Sequence, residues 1–231
     1  MITYLMIILC FLLFPFSLSL SLHLRRPKDD YVDTIDCKNL NQHLTPYIDE
    51  IINVIQEQGK FLDGKSNFNS VEGYKIVRND IKKHLPEVYE IIERYVRSIK
   101  VDNMNMANCD NEKYCWFLRL YNKEGHYLDW HFDNNFTTGK RKTYVCNIYV
   151  SDENESHFLV KNKNNITRVI TSKNGEGVLY NGSDVKHAIS SQIKNGVRIS
   201  LIVPFYENDK LTIIGKWRMW ARDIMYSILK L

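Results

Sequence analysis

Trp130-His131-Phe132-Asp133, then Asp184-Val185-Lys186-His187, then Gly196-Val197-Arg198-Ile199-Ser200-Leu201-Ile202-Val203 are the stretches that decide how this chain is read. The first closes an extended run just before a loop. On an extended chain residues i and i+2 point to the same side, so His131 and Asp133 converge on one point. His187 lies 54 residues beyond Asp133, after another β-rich run, and supplies a third donor. Two imidazoles and one carboxylate on one face leave the other positions of an octahedral iron open. Zinc or manganese could use the same three donors, and an isolated His-x-Asp arises by chance in many proteins.

Arg198 follows His187 by 11 residues. Arg198 and Ser200 stand two apart on a strand and face the same way, so they offer a planar fork and a hydroxyl to one carboxylate. A guanidinium inside a Val/Ile-rich strand is costly without an anionic partner. That partner is either an internal Asp or Glu, or a bound carboxylate.

Working outward, the runs 116–121, 143–150, 157–160, 167–171, 177–180 and 198–205 are short and β-rich, with Gly125, Gly139, Asn164, Gly175, Gly182 and Gly196 between them. Many short strands at regular spacing predict a sandwich or barrel. Upstream, Leu44, Tyr47, Ile48, Ile51, Ile52 and Ile55 recur at helical spacing. Pro86 opens a clearer helix whose face is Val88, Ile91, Ile92, Tyr95, Val96 and Ile99. The expected organisation is an apolar leader at 1–24, a polar linker at 25–43, a helical buttress at 44–112, a β core at 113–207, and an amphipathic helix at 208–231 capping the sheet. The class is mainly β with flanking helices.

The ordered combination resembles the iron(II)/2-oxoglutarate dioxygenase superfamily: His-x-Asp, a distal His about fifty residues on, then an Arg or Lys on the next strand. Arg119-Leu120-Tyr121 with Gly125 resembles the strand and turn leading into the first ligand, and Gly177-Val178-Leu179-Tyr180 the strand before the distal His. The similarity runs from about Trp116 to Phe205. It implies a double-stranded β-helix, a jelly-roll barrel with the metal at one mouth. It also implies roles: His131, Asp133 and His187 for iron(II), Arg198 helped by Ser200 for the distal carboxylate of 2-oxoglutarate, and Tyr121 or Asn147 for a further hydrogen bond to it. The implied reaction consumes O2, with ascorbate as reductant, releases succinate and CO2, and hydroxylates an unactivated C–H bond. A carboxylate at Asp133, where halogenating relatives carry a small residue, points to hydroxylation.

Within the superfamily, Gly139-Lys140-Arg141 leading to Tyr149-Val150-Ser151-Asp152 resembles prolyl 4-hydroxylase-type domains. Two departures count against a prolyl substrate. Arg198 stands where those enzymes usually carry Lys, as in lysyl hydroxylases, and the Gly-Gly pair is missing from Asp152-Glu153-Asn154-Glu155-Ser156. The substrate is expected to be a protein side chain or, alternatively, a small molecule or lipid. A non-catalytic jelly-roll binding module is the reading outside enzymology.

Bulk properties set the frame. A chain of 231 residues, 44% hydrophobic and 25% charged, is that of an ordinary globular protein, which excludes a disordered one. A net charge of +4 without a long Lys/Arg run speaks against a nucleic-acid partner. From Ile2 to Leu22 there is no Asp, Glu, Lys or Arg, which predicts a signal peptide or a retained membrane anchor. Arg25, Arg26 and Lys28 just after it favour a cytoplasmic body by the positive-inside rule, against the lumenal, endoplasmic-reticulum reading that a secretory-pathway hydroxylase suggests. Cys109 and Cys115 are close enough to bridge a loop, and all four cysteines outside the leader could equally be buried thiols.

Overall fold

Nine consecutive residues, Arg198–Tyr206, form one strand, and every one of them is buried. A strand covered on both faces needs a layer packed on each side. Alternation sorts its side chains. Ile199, Leu201, Val203 and Phe205 join an apolar cluster with the helices, while Ile202 joins a second cluster on the opposite face. Arg198 and Ser200 share the face of Ile202.

The computed structural model describes residues 32–63, 71–102, 104–106, 115–133, 141–192 and 196–206. In chain order the elements are β1 (Val32–Asp36), α1 (Lys38–Leu44), a 3-10 turn (Thr45–Tyr47), α2 (Ile48–Gln58), β2 (Lys60–Asp63), β3 (Val71–Val77), α3 (Arg78–His84), α4 (Pro86–Ser98), β4 (Asn105–Met106), β5 (Phe117–Tyr121), β6 (Tyr127–His131), β7 (Arg141–Val150), β8 (Phe158–Lys161), β9 (Thr167–Ile170), β10 (Glu176–Tyr180), β11 (Lys186–Ile189) and β12 (Arg198–Tyr206). The strands form one sheet in the order β1-β10-β7-β12-β5-β3-β6-β11-β8-β9, with β2 added to β3 and β4 to β12. Neighbours pair antiparallel throughout these strands, and β3 pairs with both β5 and β6. The sheet therefore curls over on itself as a jelly-roll, enclosing Tyr121, Val145, Phe158, Val160, Val178, Tyr180, Ile189 and Ile202.

The helices cover the outer face of the larger half. Pro86 stands at the first turn of α4, with Glu87 near its start and Arg97 in its last turn, an order that suits the helix dipole. Val88, Ile92 and Val96 on one stripe are buried against the sheet, each contributing about 1.5–3 kcal/mol. Glu93 lies on the same inner side. It accepts from the Arg78 guanidinium at 3.0 Å, Arg97 Nε at 3.0 Å and Trp116 Nε1 at 2.9 Å, so its charge is fully paired.

Three boundaries differ from the sequence reading. The linker expected at 25–43 is structured from Val32: β1 pairs along β10, and α1 begins at Lys38. An edge strand needs only backbone pairing, and the acidic residues Asp33 and Asp36 hid it. The buttress expected at 44–112 is not wholly helical, because β3 enters the middle of the sheet. Its inward positions carry Gly73 and Lys75, which mask the apolar alternation. The single helix expected over 44–58 is divided by the 3-10 turn containing Pro46, which has no N–H to donate.

Cys37 and Cys146 are buried free thiols, and Cys115 is disulfide-bonded. Cys109, the leader at 1–24 and the helix expected at 208–231 lie outside the described residues. No helix among the described residues is long and apolar enough to cross a membrane.

Candidate active site

β6 and β11 are neighbours in the smaller half of the sheet, with His131 and His187 as Cα partners. Directly opposed residues share a face, and the two imidazole centroids lie 4.1 Å apart. Asp133 is brought to them by the turn before β11: its amide donates to the Gly182 carbonyl at 2.7 Å. Asp133 Oδ1 sits 3.9 Å from His131 Nε2 and 3.7 Å from His187 Nε2. One donor atom from each residue falls within 4.8 Å of the others, room for one metal ion among them.

Both imidazoles are aimed from behind. His131 Nδ1 lies 2.8 Å from the Asp129 carbonyl and His187 Nδ1 3.0 Å from the Val185 carbonyl. Donating Nδ1–H to those oxygens turns the Nε2 lone pairs inward, the usual second support of a ligating histidine; that of His187 accepts from the Tyr180 hydroxyl, which a metal would displace. Burial, reinforced by the neighbouring His187, holds His131 down to about 3, and burial also lowers His187. Both rings are therefore neutral near pH 7, the form that binds metals.

Asp133 divides its two oxygens. Oδ2 accepts a short hydrogen bond from the Thr143 hydroxyl and faces Arg141 Nε at 3.4 Å. Arg141 Nε also donates to Thr143 Oγ1 at 3.1 Å. Burial pushes this carboxyl up, but Arg141, the two histidines and Thr143 outweigh it and keep the group at about 2. Oδ1 is left to the histidine side. The Tyr180 hydroxyl stands 3.1 Å from His187 Nε2, on the metal-facing side of that ring.

The second half of the site is cationic. Arg198 is fully buried. Its Nε donates to Asn147 Oδ1 and Ser200 Oγ, both at 3.1 Å, and Ser200 donates to Asn147 at 3.0 Å. Nη1 is buried without a hydrogen-bond partner, and no carboxylate among the described residues pairs with the guanidinium. Burial alone brings its pKa down to about 10. Arg198 lines a small cleft with Asn147, Val145, Val178, Phe158 and Glu176. Phe158, which lines this cleft, has its ring 5.7 Å from that of His187. A buried cation without a carboxylate partner, in the same barrel as a two-His-one-carboxylate cluster, fits a carboxylate-bearing molecule bound near a metal.

The residues proposed from sequence thus fall into two groups. His131, Asp133 and His187 converge; Arg198, Ser200 and Asn147 form a hydrogen-bonded set; Tyr121 is buried and is the Cα partner of Arg198 across β5–β12. Sequence reasoning passed over Arg141 and Thr143. Both alternate with Val145 and Asn147 on one face of β7, so the period of two was the signal available. It also passed over Tyr180, and over Gly182 as the neighbour of Asp133.

No protein-family model matches this sequence, and no curated protein matches it. Solved structures do match by shape. An oxidoreductase of the 2OG-Fe(II) oxygenase family from Burkholderia pseudomallei superposes with a TM-score of 0.51 at 10% identity, over 79% of this chain and 88% of that one. AviO1 from Streptomyces viridochromogenes Tue57 gives 0.52 at 10% identity, over 78% and 91%. SnoK, a non-heme alpha ketoglutarate dependent carbocyclase from nogalamycin biosynthesis, gives 0.52 at 9% identity, over 76% and 79%. At such identities the likeness is one of fold: this chain folds as those proteins do, with its own His131, Asp133, His187 and Arg198 in the barrel.

Proposed function

We propose that the chain is an iron(II)- and 2-oxoglutarate-dependent dioxygenase that hydroxylates a C–H bond, with release of succinate and CO2. The observation that carries this reading is the buried Arg198 Nη1, without a hydrogen-bond partner, inside the same barrel as the His131–Asp133–His187 cluster. Iron(II) and 2-oxoglutarate, when bound, supply the oxidising chemistry. The protein's part is positional. Arg198 takes the distal carboxylate, Asn147 and Ser200 hold its Nε in place, and Thr143 with Arg141 reserves Asp133 Oδ1 for the metal. Tyr121, beside Arg198, adds a hydroxyl at the same end.

The substrate belongs to the same proposal: a protein side chain of the prolyl or lysyl type. An oxygenase of a small molecule or lipid is the second reading, encouraged by the charge-free stretch Ile2–Leu22 as a membrane anchor. Entry into the secretory pathway, by signal peptide or anchor, is supported by the charge-free stretch Ile2–Leu22 and by the disulfide at Cys115.

The experiment is succinate formation from 2-oxoglutarate by the full chain with iron(II), O2 and ascorbate, over a peptide and small-molecule panel. Cosubstrate binding is read alongside, with His131→Ala and Arg198→Ala as controls. Turnover or joint binding of iron and 2-oxoglutarate, lost in both variants, is the expected result. A wild-type chain that does neither sinks the reading and leaves a jelly-roll binding module.

A further inference from the structure

One row of Cα-paired residues crosses four strands of the larger half: Asn147 on β7, Ser200 on β12, Arg119 on β5 and Lys75 on β3. The alternation on β5 and β3 places all four toward the barrel interior, because Leu118, Leu120 and Ile76 face the helices. The row's first two members hold Arg198. Its last two are cations that the assignments above leave unused.

Arg119 Nη1 is buried without a hydrogen-bond partner. Lys75 Nζ lies 4.1 Å above the Phe117 ring, and the Arg119 guanidinium 5.7 Å from the same ring. Neither has a carboxylate partner among the described residues. Arg141 is neutralised by Asp133, and Arg198 by the distal carboxylate of 2-oxoglutarate in the proposed reading. Two like charges side by side on adjacent strands, partly out of water, are unfavourable unless an anion joins them. Burial, with the charges of Arg119, Arg141 and Lys60, brings Lys75 down to about 8. The Arg119 charge also reaches His131, so the pair stands near the metal ligands. With strands about 4.8 Å apart, Lys75 lies roughly 10 Å along the sheet from Ser200. Neither Lys75 nor Arg119 is among the charges that act on Arg198, which feels burial and Tyr121.

We propose that Arg119 and Lys75 form a second anion site inside the barrel, and that the prime substrate presents a carboxylate, phosphate or sulfate to it. A site of this kind orients the reacting C–H through an acidic group of the substrate, be that an acidic side chain or a small organic acid. The inference rests on the oxygenase reading and extends it to the substrate's charge.

The full-length protein, loaded with manganese(II) and saturated with N-oxalylglycine (an unreactive analogue of 2-oxoglutarate), is titrated calorimetrically with sulfate, with acetate and with methylammonium. Circular dichroism first verifies that each variant is folded. Expected is millimolar binding of sulfate, acetate or both, and none of methylammonium. Lys75→Gln and Arg119→Gln should weaken it about tenfold each, Arg119→Lys should retain most of it, and N-oxalylglycine affinity should stay unchanged in Lys75→Gln. The stronger of the two anions separates a phosphate- or sulfate-bearing substrate from a carboxylate-bearing one. Absence of anion binding in the wild type, or equal binding in the Gln variants, overturns the proposal. So does a loss of N-oxalylglycine affinity in both Gln variants, which would assign the row to the cosubstrate. A wild-type chain that takes up neither manganese nor N-oxalylglycine fails the parent reading instead. The sulfate titration of the unloaded chain then still decides whether the two cations bind an anion.

Discussion

Asp133 and Gly182 are in such close contact that a β-carbon at position 182 would fall 2.0 Å from Asp133 Oδ2 and 2.8 Å from Thr143 Oγ1. The same glycine carbonyl receives the Asp133 amide. The carboxylate is thus seated on a residue that must lack a side chain.

Gly182→Ala is therefore expected to push the Asp133 carboxyl out of line with the two histidines while leaving the barrel folded. Loss of ligand support of this kind costs roughly 10–100-fold in metal affinity. Calorimetric titration with manganese(II) or iron(II), beside a far-ultraviolet spectrum, checks it. Unchanged affinity would mean that Asp133 is not a ligand.

Arg198 should separate stability from binding. Its guanidinium is desolvated and only partly paired, whereas Ser200 and Asn147 already bond to each other. Arg198→Met should not destabilise the unliganded protein, and should gain on the order of 1 kcal/mol in urea unfolding. The thermal shift that 2-oxoglutarate gives the wild type should vanish in the variant. A large loss of unliganded stability would show that Arg198 is chiefly structural.

Glu93 makes the acid limb of stability. Burial raises its carboxyl, but Arg78, Trp116 and Arg97 outweigh that and hold it at about 2, below the ordinary 4.5. A depressed folded-state pKa contributes stability that is complete above the unfolded value and is lost as pH falls through about 4.5 toward about 2. Glu93→Gln should flatten that pH dependence and lower stability at pH 7 by about 3 kcal/mol, because the largely buried Arg78 guanidinium loses its partner while the exposed Arg97 stays hydrated. Urea unfolding across this pH range reads both effects.

Cys37 and Cys146 are 1% and 0% exposed, one just after β1 and the other on β7. Neither should react with a thiol reagent in the native state, and both should react on unfolding. Fast native labelling of Cys37 alone would show that β1 and α1 detach from the sheet edge.

The strands that carry chemistry were legible from sequence because their signals are local. Period two placed His131 with Asp133 and Arg198 with Ser200 on shared faces, and the apolar run around Arg198 announced a buried strand. β1 and β3 were not legible, since their pairing lies in backbone bonds to distant strands and acidic, small or basic residues (Asp33, Asp36, Glu72, Gly73, Lys75) interrupt their apolar alternation. Arg141 and Thr143 were visible as residues and silent as partners of Asp133. Nothing near them in sequence shows that the turn at Gly182 delivers a carboxylate to their strand.

By itself, then, the sequence pointed to His131, Asp133 and His187 as candidate ligands, to a buried arginine and to the β class, pairing His131 with Asp133 and Arg198 with Ser200 by counting by twos along an extended chain. Tertiary structure alone decided which oxygen of Asp133 is left for a metal, that no described carboxylate neutralises Arg198, and that Arg119 and Lys75 stand abreast inside the barrel. Those facts depend on which strands become neighbours when the sheet curls. Neighbour choice is made by the packing of the whole core, which no short stretch of residues encodes.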